Sequence, residues 1–347
     1  MIVDKNYCMS SFLMYRTVAD DNKCFKEGIK PNLYQDIHAK KGVRTSRELG
    51  QALKKCIEST LKKGKTALAL SGGIDSAVLA KYMHGRGKAY TFQCIVPGIE
   101  VTNEVPRARK YAEACDLEQE VVEVYWSDME EYTPILMKHK GAPIHSIEVQ
   151  IYKAALRAKQ DGFENIIFGE SADLNYGGLS GLMSKDWRLG EFVDRYSYVL
   201  PYKVLKEPEL ILEPISRYER EGYIDAFEFC RGFFFREAMG SYTNACECAG
   251  INLVCPYAYT KLDGNLDYDR IRSGENKYLI RELFGKLYSG FEQPTKLPMP
   301  RPSNEWYKDW KGPIRQEFWE HCAEGLTGDQ KWLLWSLEKF LDVIESR

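Results

Sequence analysis

Short apolar runs alternate with amphipathic segments through the first half of the chain. Each run is short enough to be a buried strand, and each intervening segment carries apolar residues at helical spacing. Strands that alternate with helices in this way indicate βαβ units and a parallel sheet. The predicted strands are Thr66–Leu70, Ala89–Val96, Glu120–Val124 and Asn165–Phe168, and the predicted helices are Ser46–Leu61, about Ser76–Met83, Arg107–Cys115 and Glu148–Gln160.

The pattern changes at both ends of the chain. Residues 1–45 hold one short apolar run, Ser11–Tyr15, which predicts a strand and loop in a short N-terminal extension. The later part is mainly helical, with segments near Arg217–Ala238, Lys277–Leu287 and Lys331–Glu345. We therefore predict an α/β fold, in which residues 46–200 form a parallel doubly wound sheet of about five strands and residues 201–347 form a helical C-terminal lobe.

Composition excludes several classes of protein. The 347 residues are 44% hydrophobic with a formal net charge of -2, which favours a folded core and argues against a general nucleic-acid binder. No apolar run approaches the ~20 residues of a membrane span, and the N-terminus lacks the apolar core of a secretory signal. Ten cysteines without regular spacing favour reduced thiols, so we predict a cytoplasmic protein without a membrane partner.

The most specific motif is LALSGGIDSAVLA at residues 68–80. A strand ends, two glycines turn the chain, and a helix begins at once. Backbone N–H groups at such a turn and the helix dipole form an anion site, which glycines let a phosphate approach closely. Ser71 and Ser76 can add hydroxyl donors, and Asp75 can hold Mg²⁺ against pyrophosphate oxygens. The G-K-[ST] ending of a Walker A loop is absent, so another type of phosphate loop is predicted.

The segment SGGIDS matches the S-G-G-x-D-S loop of the N-type ATP pyrophosphatases, and the chain resembles that superfamily, whose fold is adenine nucleotide alpha hydrolase-like. Further segments resemble the synthetase domain of asparagine synthetases and occur in the same order from about residue 46 to 320. Phe168–Gly178 resembles its G-E-G-x-D-E-x-x-G-G segment, and Ser273–Arg281 its N-G-E-x-K-Y-x-x-R segment. A later part of this chain, with Lys296, Pro298, Pro300 and Trp306, resembles the family's late K-x-x-x-P segment and the tryptophan that follows it.

The resemblance implies ATP and Mg²⁺ as cofactors and a role for each matching residue. Enzymes of this superfamily split ATP between the α and β phosphates and adenylate an oxygen of the substrate. Glu170 would activate the attacking nucleophile, and Lys277 would neutralise charge in the adenylation transition state. The implied binding residues are Ser71, Gly72, Gly73, Asp75 and Ser76 for the phosphates, Leu70, Cys94 and Gly169 for adenine and ribose, and Asp75 with Asp173 for the metal.

Three departures from the family pattern concern the acceptor. Leu174 stands in place of a second acidic residue, and Gly141-Ala142-Pro143 in place of D-E-P. Asn252–Pro256 replaces E-x-R-x-P, so an acid and an arginine are lost. Because the charges of a buried amino acid must be paired, we predict that the small-molecule acceptor is not aspartate.

The glutaminase half of asparagine synthetases is not expected within these residues. About 45 residues precede Ser46, too few for that domain, and Cys8 is not expected to be a nucleophile. Nitrogen would come from free ammonia, an amine substrate or a separate donor protein. A homo-oligomer is compatible with the sequence, and nucleic acid is not an expected partner.

A cysteine cluster leaves three interpretations open. Cys246, Cys248 and Cys255 lie near the expected acceptor pocket. One of them could carry a persulfide in sulfur transfer. The three could bind zinc, although the sequence shows no fourth ligand. They could also be buried packing residues. His145 is either a general base or a structural histidine.

Three functions therefore compete. Amide formation is the first choice, ATP-dependent thiolation of a small molecule such as a nucleobase, as in 6-thioguanine formation, is the second, and a non-catalytic ATP-binding sensor is the third. The retained Asp75, Glu170, Asp173 and Lys277 argue against the sensor, because binding alone needs no group that activates a nucleophile.

Overall fold

The computed structural model describes residues 1–32, 34, 37, 39–294 and 299–345. Lys296 and Pro298 therefore lie outside the described residues. The strands are β1 (Ile2–Val3), β2 (Lys23–Cys24), β3 (Lys41–Val43), β4 (Thr66–Ala69), β5 (Lys88–Cys94), β6 (Glu118–Val124), β7 (Asn165–Ile167), β8 (Glu219–Arg220), β9 (Tyr223–Ile224), β10 (Asn252–Val254) and β11 (Thr260–Leu262).

Helices make up most of the remaining regular structure. Short 3₁₀ turns lie at Pro201–Lys203 and Pro256–Tyr259, and a π-helical turn lies at Cys230–Phe234. The α-helices are α1 (Lys5–Tyr15), α2 (Ser46–Leu61), α3 (Ile74–Met83), α4 (Val105–Ala114), α5 (Trp126–Lys140), α6 (Ile147–Gln160), α7 (Ala172–Asn175), α8 (Leu189–Tyr196), α9 (Glu213–Ser216), α10 (Ala226–Phe229), α11 (Phe235–Ala249), α12 (Tyr268–Arg272), α13 (Tyr278–Leu287), α14 (Ser303–Trp306) and α15 (Gly328–Glu345).

The central sheet confirms the predicted α/β class. Five strands pair in the order β10-β7-β4-β5-β6, and every pairing in this sheet is parallel. Helices α2, α3 and α13 pack on one another, and α5, α6 and α11 form a second group. The chain leaves β4 toward β5 on one side and returns to β7 on the other, so the order of the strands reverses between β4 and β7. Ligands of open parallel sheets bind at such a reversal, beyond the carboxyl ends of the strands.

The fifth strand comes from the segment that departs most from the family pattern. Asn252–Val254 forms β10 and pairs with β7, with Val254 opposite Ile167. Three residues give too short an apolar run to be recognised as a strand without its partner. The substituted segment therefore lies directly beside the strand that leads to Glu170.

The N-terminal prediction of a strand and loop is wrong for Ser11–Tyr15. These residues belong to α1, whose residues from Cys8 to Tyr15 are all buried. Helix α1 packs against α15, so apolar residues face it on nearly every side and its sequence shows no amphipathic period. The N-terminal segment is thus part of the main core.

The predicted helix at Arg217–Ala238 is wrong over its first nine residues, whereas residues 226–238 are helical. A hairpin of β8 and β9 interrupts it at Glu221 and Gly222, which both have positive φ angles of 51° and 85°. The chain re-enters helix at α10, where the Asp225 side chain accepts from the backbone N–H of Glu228. Helix α5, which the sequence analysis did not predict, contains Pro134.

The structure shows no membrane-crossing element among its described residues, since none of the helices there is both long and apolar enough.

Gly141 has a structural reason to be glycine. It ends α5 in the left-handed conformation with φ of 64°, and a Cβ there would lie 2.3 Å from the backbone oxygen of Lys30. The family's aspartate at this place would meet both the strain and the clash, so the local backbone accounts for this departure.

Gly141→Ala should therefore lower the free energy of unfolding by about 2–4 kcal/mol, the sum of left-handed strain and a steric overlap with backbone. Gly162→Ala is the matched control, because Gly162 also has a positive φ of 85° but has open space around it. The control should lose about 1 kcal/mol. Urea denaturation of both variants measures the difference, and equal losses would contradict the steric explanation.

Candidate active site

A cavity of about 240 Å³ lies where the carboxyl ends of β4, β5 and β7 meet. It brings together nine of the residues predicted from the sequence, from three separate segments of the chain. The described residues that line it are Ala69, Leu70, Ser71, Gly73, Ile74, Asp75, Ser76, Thr91, Phe92, Glu104, Phe168, Gly169, Glu170, Asp173, Tyr242, Lys277, Arg281, Pro294 and Met299.

The phosphate loop is fixed by hydrogen bonds between its own serines. The Ser76 hydroxyl accepts from the backbone N–H of Ser71 at 3.0 Å and lies 3.0 Å from the Ser71 hydroxyl. The Ser71 hydroxyl in turn accepts from the N–H of Gly73 at 3.2 Å. Gly73 is the last residue before α3, and the first residues of that helix line the cavity, so the helix N-terminus, whose first N–H groups have no partner within the helix, lies at the place where an anion site is expected.

Gly169 allows the segment after β7 to approach this loop. A Cβ at Gly169 would lie 3.2 Å from the backbone nitrogen of Ser76 and 3.3 Å from the Cβ of Asp75. Any larger side chain would therefore press on the start of α3. The close approach places Glu170 and Asp173 beside the phosphate loop.

Lys277 joins the two predicted metal ligands. Its Nζ lies 2.6 Å from Oδ2 of Asp75 and 3.1 Å from Oδ1 of Asp173, and the residue is 4% exposed. Burial alone would lower the pKa of Lys277, but the carboxylates of Asp173 and Asp75 outweigh it and raise the pKa. The ammonium group therefore stays charged at neutral pH.

The carboxylates of Asp75 and Asp173 suit a magnesium ion that is held together with phosphate oxygens. Both reach one common point, the Lys277 nitrogen, and Mg²⁺ is usually held by one or two carboxylates together with substrate oxygens. Within the described part of the chain no group of three or more metal-ligating side chains is found, so the protein alone does not offer a complete coordination shell there.

Glu170 has the pKa of a general base near neutral pH. Its Oε1 accepts from the backbone N–H of Ser171 at 2.7 Å, and its carboxylate accepts a hydrogen bond from the Tyr242 hydroxyl. Burial is the main cause that raises the pKa of Glu170 to about 7, and the nearby charges of Asp173 and Glu237 add to it. Such a group can take up a proton from a substrate at pH 7.

Several residues of the cavity wall were not predicted from the sequence. Tyr242 lies on α11, more than sixty positions after Glu170, and contacts Phe168 edge-on at 5.1 Å between ring centroids. Glu104 accepts the backbone N–H of Gly72, and its burial raises its pKa. Arg281 lies one helical turn after Lys277, a spacing that would have placed both on the same face of a helix.

Cys94 and Gly72 do not line the cavity in the described structure. The Cys94 thiol is buried and contacts Gln150 at 3.1 Å and the Pro300 oxygen at 3.5 Å. Strand β5 contributes Thr91 and Phe92 to the cavity instead.

Leu174 has moved from the expected acidic position into the core. It is 2% exposed on α7, while its neighbour Asp173 lines the cavity. An acid at position 174 would be buried in this core, which costs free energy unless the charge is paired.

The cysteine cluster has the properties of packing residues. Cys246 and Cys255 are buried and Cys248 is half-buried, and burial raises the pKa of all three thiols, that of Cys248 to about 11. Since the thiolate is the reactive form, these thiols are protonated and unreactive at neutral pH. None of the three is among the described residues that line the cavity.

His145 belongs to a buried structural network. Its Nε2 lies 2.8 Å from Nη1 of Arg16, which also forms an ion pair with Glu237 at 3.0 Å. Burial, followed by the charges of Arg16, Arg301 and Lys140, holds the pKa of His145 well below its usual range. The described cavity wall does not include it.

Comparison with protein families agrees with this site. The family described as Asparagine synthase matches residues 47–242, which is more than half of the chain and contains the phosphate loop, Glu170 and Asp173. The chain belongs to the asparagine synthase family. This confirms the resemblance inferred from the motifs and supports an ATP-dependent, amide-forming ligase in general terms.

Two solved structures show a weak similarity. The NH3-dependent NAD synthetase from Campylobacter jejuni subsp. jejuni NCTC 11168 in complex with the nitrate ion has 15% identity and a TM-score of 0.26, over 39% of this chain and 61% of that chain. The NMN synthetase from Francisella tularensis has 13% identity and a TM-score of 0.29, over 74% of this chain and 99% of that chain. The chain thus spans about three fifths of the first of these structures. No curated protein sequence matches the chain.

The raised pKa of Glu170 predicts a pH-dependent gain in stability for Glu170→Gln. A carboxyl group whose pKa rises on folding costs stability when it ionises, fully above about pH 7 and not at all below its ordinary pKa of 4.5. The variant should therefore be more stable than the wild type at pH 8 by roughly 1–3 kcal/mol, with the gain largely lost at pH 5. Urea denaturation at both pH values measures this, and a gain that does not depend on pH would show that Glu170 ionises normally.

Proposed function

We propose that the protein is an ATP-dependent synthetase that adenylates a carbonyl or carboxylate oxygen of a small molecule and replaces AMP with a nitrogen nucleophile. The observation that carries this proposal is the convergence of Glu170 with the Lys277, Asp75 and Asp173 cluster above one phosphate loop. Phosphate binding alone does not need a carboxyl group with a pKa of about 7 at that place.

In the first step the acceptor oxygen attacks the α-phosphorus of ATP, and the bond to the β,γ-pyrophosphate breaks. Ser71, Ser76 and the N–H groups at the start of α3 would hold the departing phosphates. Asp75 and Asp173 would hold Mg²⁺, which supplies charge neutralisation for the leaving group. Lys277 would donate to the phosphate oxygens on which charge develops.

In the second step a nitrogen nucleophile attacks the adenylated carbon, and AMP leaves with the original oxygen. Glu170 would accept the proton that the nitrogen loses, held in place by the Ser171 N–H and the Tyr242 hydroxyl. A base with a pKa of about 7 suits this transfer at neutral pH. Burial raises the pKa of the Cys246 and Cys255 thiols, which argues against these two as sulfur carriers and leaves nitrogen as our first choice.

A turnover screen tests the reaction class. Purified protein with MgATP is incubated with amino acids, small carboxylates and nucleobases, each with ammonia or with sulfide, and pyrophosphate, AMP and product mass are measured. We expect AMP that depends on the acceptor and a product in which NH₂ replaces OH. Sulfur in place of oxygen would establish thiolation instead, and ATP binding without AMP would favour the sensor.

The variant Asp75→Asn tests the metal assignment in the same assay, because it removes one carboxylate charge at nearly constant size. Loss of the metal ligand should abolish pyrophosphate release while the circular dichroism spectrum stays that of the wild type. Full release by this variant would contradict the assignment of Asp75 to the metal.

Tyr242→Phe should move the acidic limb of the pH–rate profile to higher pH. The Tyr242 hydrogen bond lowers the pKa of Glu170, so its loss raises that pKa further and Glu170 becomes a base at a higher pH. Tyr176→Phe is the control, since the Tyr176 hydroxyl is also buried but bonds to Thr260 at 2.7 Å, away from the described cavity wall. An unshifted limb in Tyr242→Phe would show that Glu170 is not the group that titrates.

A further inference from the structure

Lys277 lies at the point where the two metal ligands converge. Its ammonium nitrogen is 2.6 Å from Asp75 and 3.1 Å from Asp173, within hydrogen-bonding distance of both carboxylates. A magnesium ion bound to the same two carboxylates would sit roughly 2.0–2.1 Å from each oxygen. The ion and the ammonium group therefore compete for one position.

The backbone holds Lys277 in this position. The residue has a positive φ of 52° and directly precedes α13, a left-handed conformation that costs a lysine roughly 1–2 kcal/mol. Helix α13 packs against α3, the helix that carries Asp75. The ammonium group is therefore presented to the two carboxylates from the start of a packed helix, and the Lys277 side chain is 5% exposed.

Charge makes the competition strong. Two positive groups within a few ångströms repel each other much more in a partly dehydrated cavity than in water. ATP changes the balance, because its phosphates bring several negative charges to the adjacent loop and offer the Lys277 ammonium a new partner.

We propose that Lys277 is a specificity-determining residue that keeps free divalent cations off Asp75 and Asp173 and yields the pair to a metal only when a nucleotide polyphosphate is bound. This inference rests on the proposed function for the assignment of the two carboxylates to the metal of MgATP. It adds that the metal enters with the nucleotide rather than before it.

Binding of Mn²⁺, followed by the electron paramagnetic resonance signal of the free ion, tests the inference without any acceptor. The wild type should bind Mn²⁺ weakly when alone and one Mn²⁺ tightly with α,β-methylene-ATP, which the enzyme cannot split. Lys277→Met, without nucleotide, should bind Mn²⁺ at least ~10-fold more tightly than the wild type, since a neutral side chain of similar length no longer competes.

Arg281→Met is the matched control. Arg281 lines the same cavity but bonds to Asn276 at 2.7 Å and to Gln293 at 3.1 Å, and it contacts neither carboxylate in the bonds described. Its loss should leave Mn²⁺ binding in the absence of nucleotide as weak as in the wild type. An equal gain in both variants would mean that cavity charge in general, and not the position of Lys277, excludes the ion.

The outcomes separate this inference from the proposed function. Tight Mn²⁺ binding by the nucleotide-free wild type, or an unchanged affinity in Lys277→Met, overturns the inference. No Mn²⁺ binding by the wild type with α,β-methylene-ATP overturns the nucleotide site itself. If Lys277→Met does not fold, the melting temperature of the wild type serves instead: Mn²⁺ should raise it beyond the effect of the nucleotide only when α,β-methylene-ATP is present, and a rise with Mn²⁺ alone overturns the inference.

Discussion

The parallel pairing of β4 with β7 is the constraint on which the site depends. Leu68 lies opposite Ile167 in this pair, so both strands end at the same level and their following loops lie side by side. Gly169 then allows contact with the start of α3 at a distance that a side chain would prevent. Because two segments about one hundred residues apart meet at this edge, the phosphate loop acquires acidic neighbours that neither segment could provide alone.

Glu170 and Lys277 differ in how readily they carry a charge, because their charged neighbours differ. Glu170 is half-buried and Lys277 is buried, and the loss of water by itself disfavours charge on either. Lys277 has two carboxylates in contact and stays charged, whereas Glu170 has acidic neighbours and is raised to a pKa of about 7. Asp173 thus has two effects: together with Asp75 it keeps Lys277 charged, and it helps to raise the pKa of Glu170.

Much of the sheet and of the phosphate loop could be predicted from the sequence, because local pattern determines both. The strands near residues 68–80 coincide with short apolar runs, and the motif SGGIDS by itself predicts the phosphate loop. Tyr242 could not be predicted, since its contact with Glu170 forms only when α11 packs against α6 and β10. Helix α1 was missed for a related reason: a helix buried on nearly all sides has no polar face to reveal its period.

The charges of the cavity bear on the acceptor. Its described wall holds four acids and two cations, and the cations are Lys277 and Arg281. The phosphates of ATP would engage the first, and Asn276 and Gln293 already hold the second. Beside Glu170 the wall is formed by Phe168 and Tyr242, which form an aromatic edge-on contact. Under the proposed function, a second carboxylate on the acceptor would find little to neutralise it in this described wall, so we expect an acceptor whose one ionised or polar group is the oxygen that reacts.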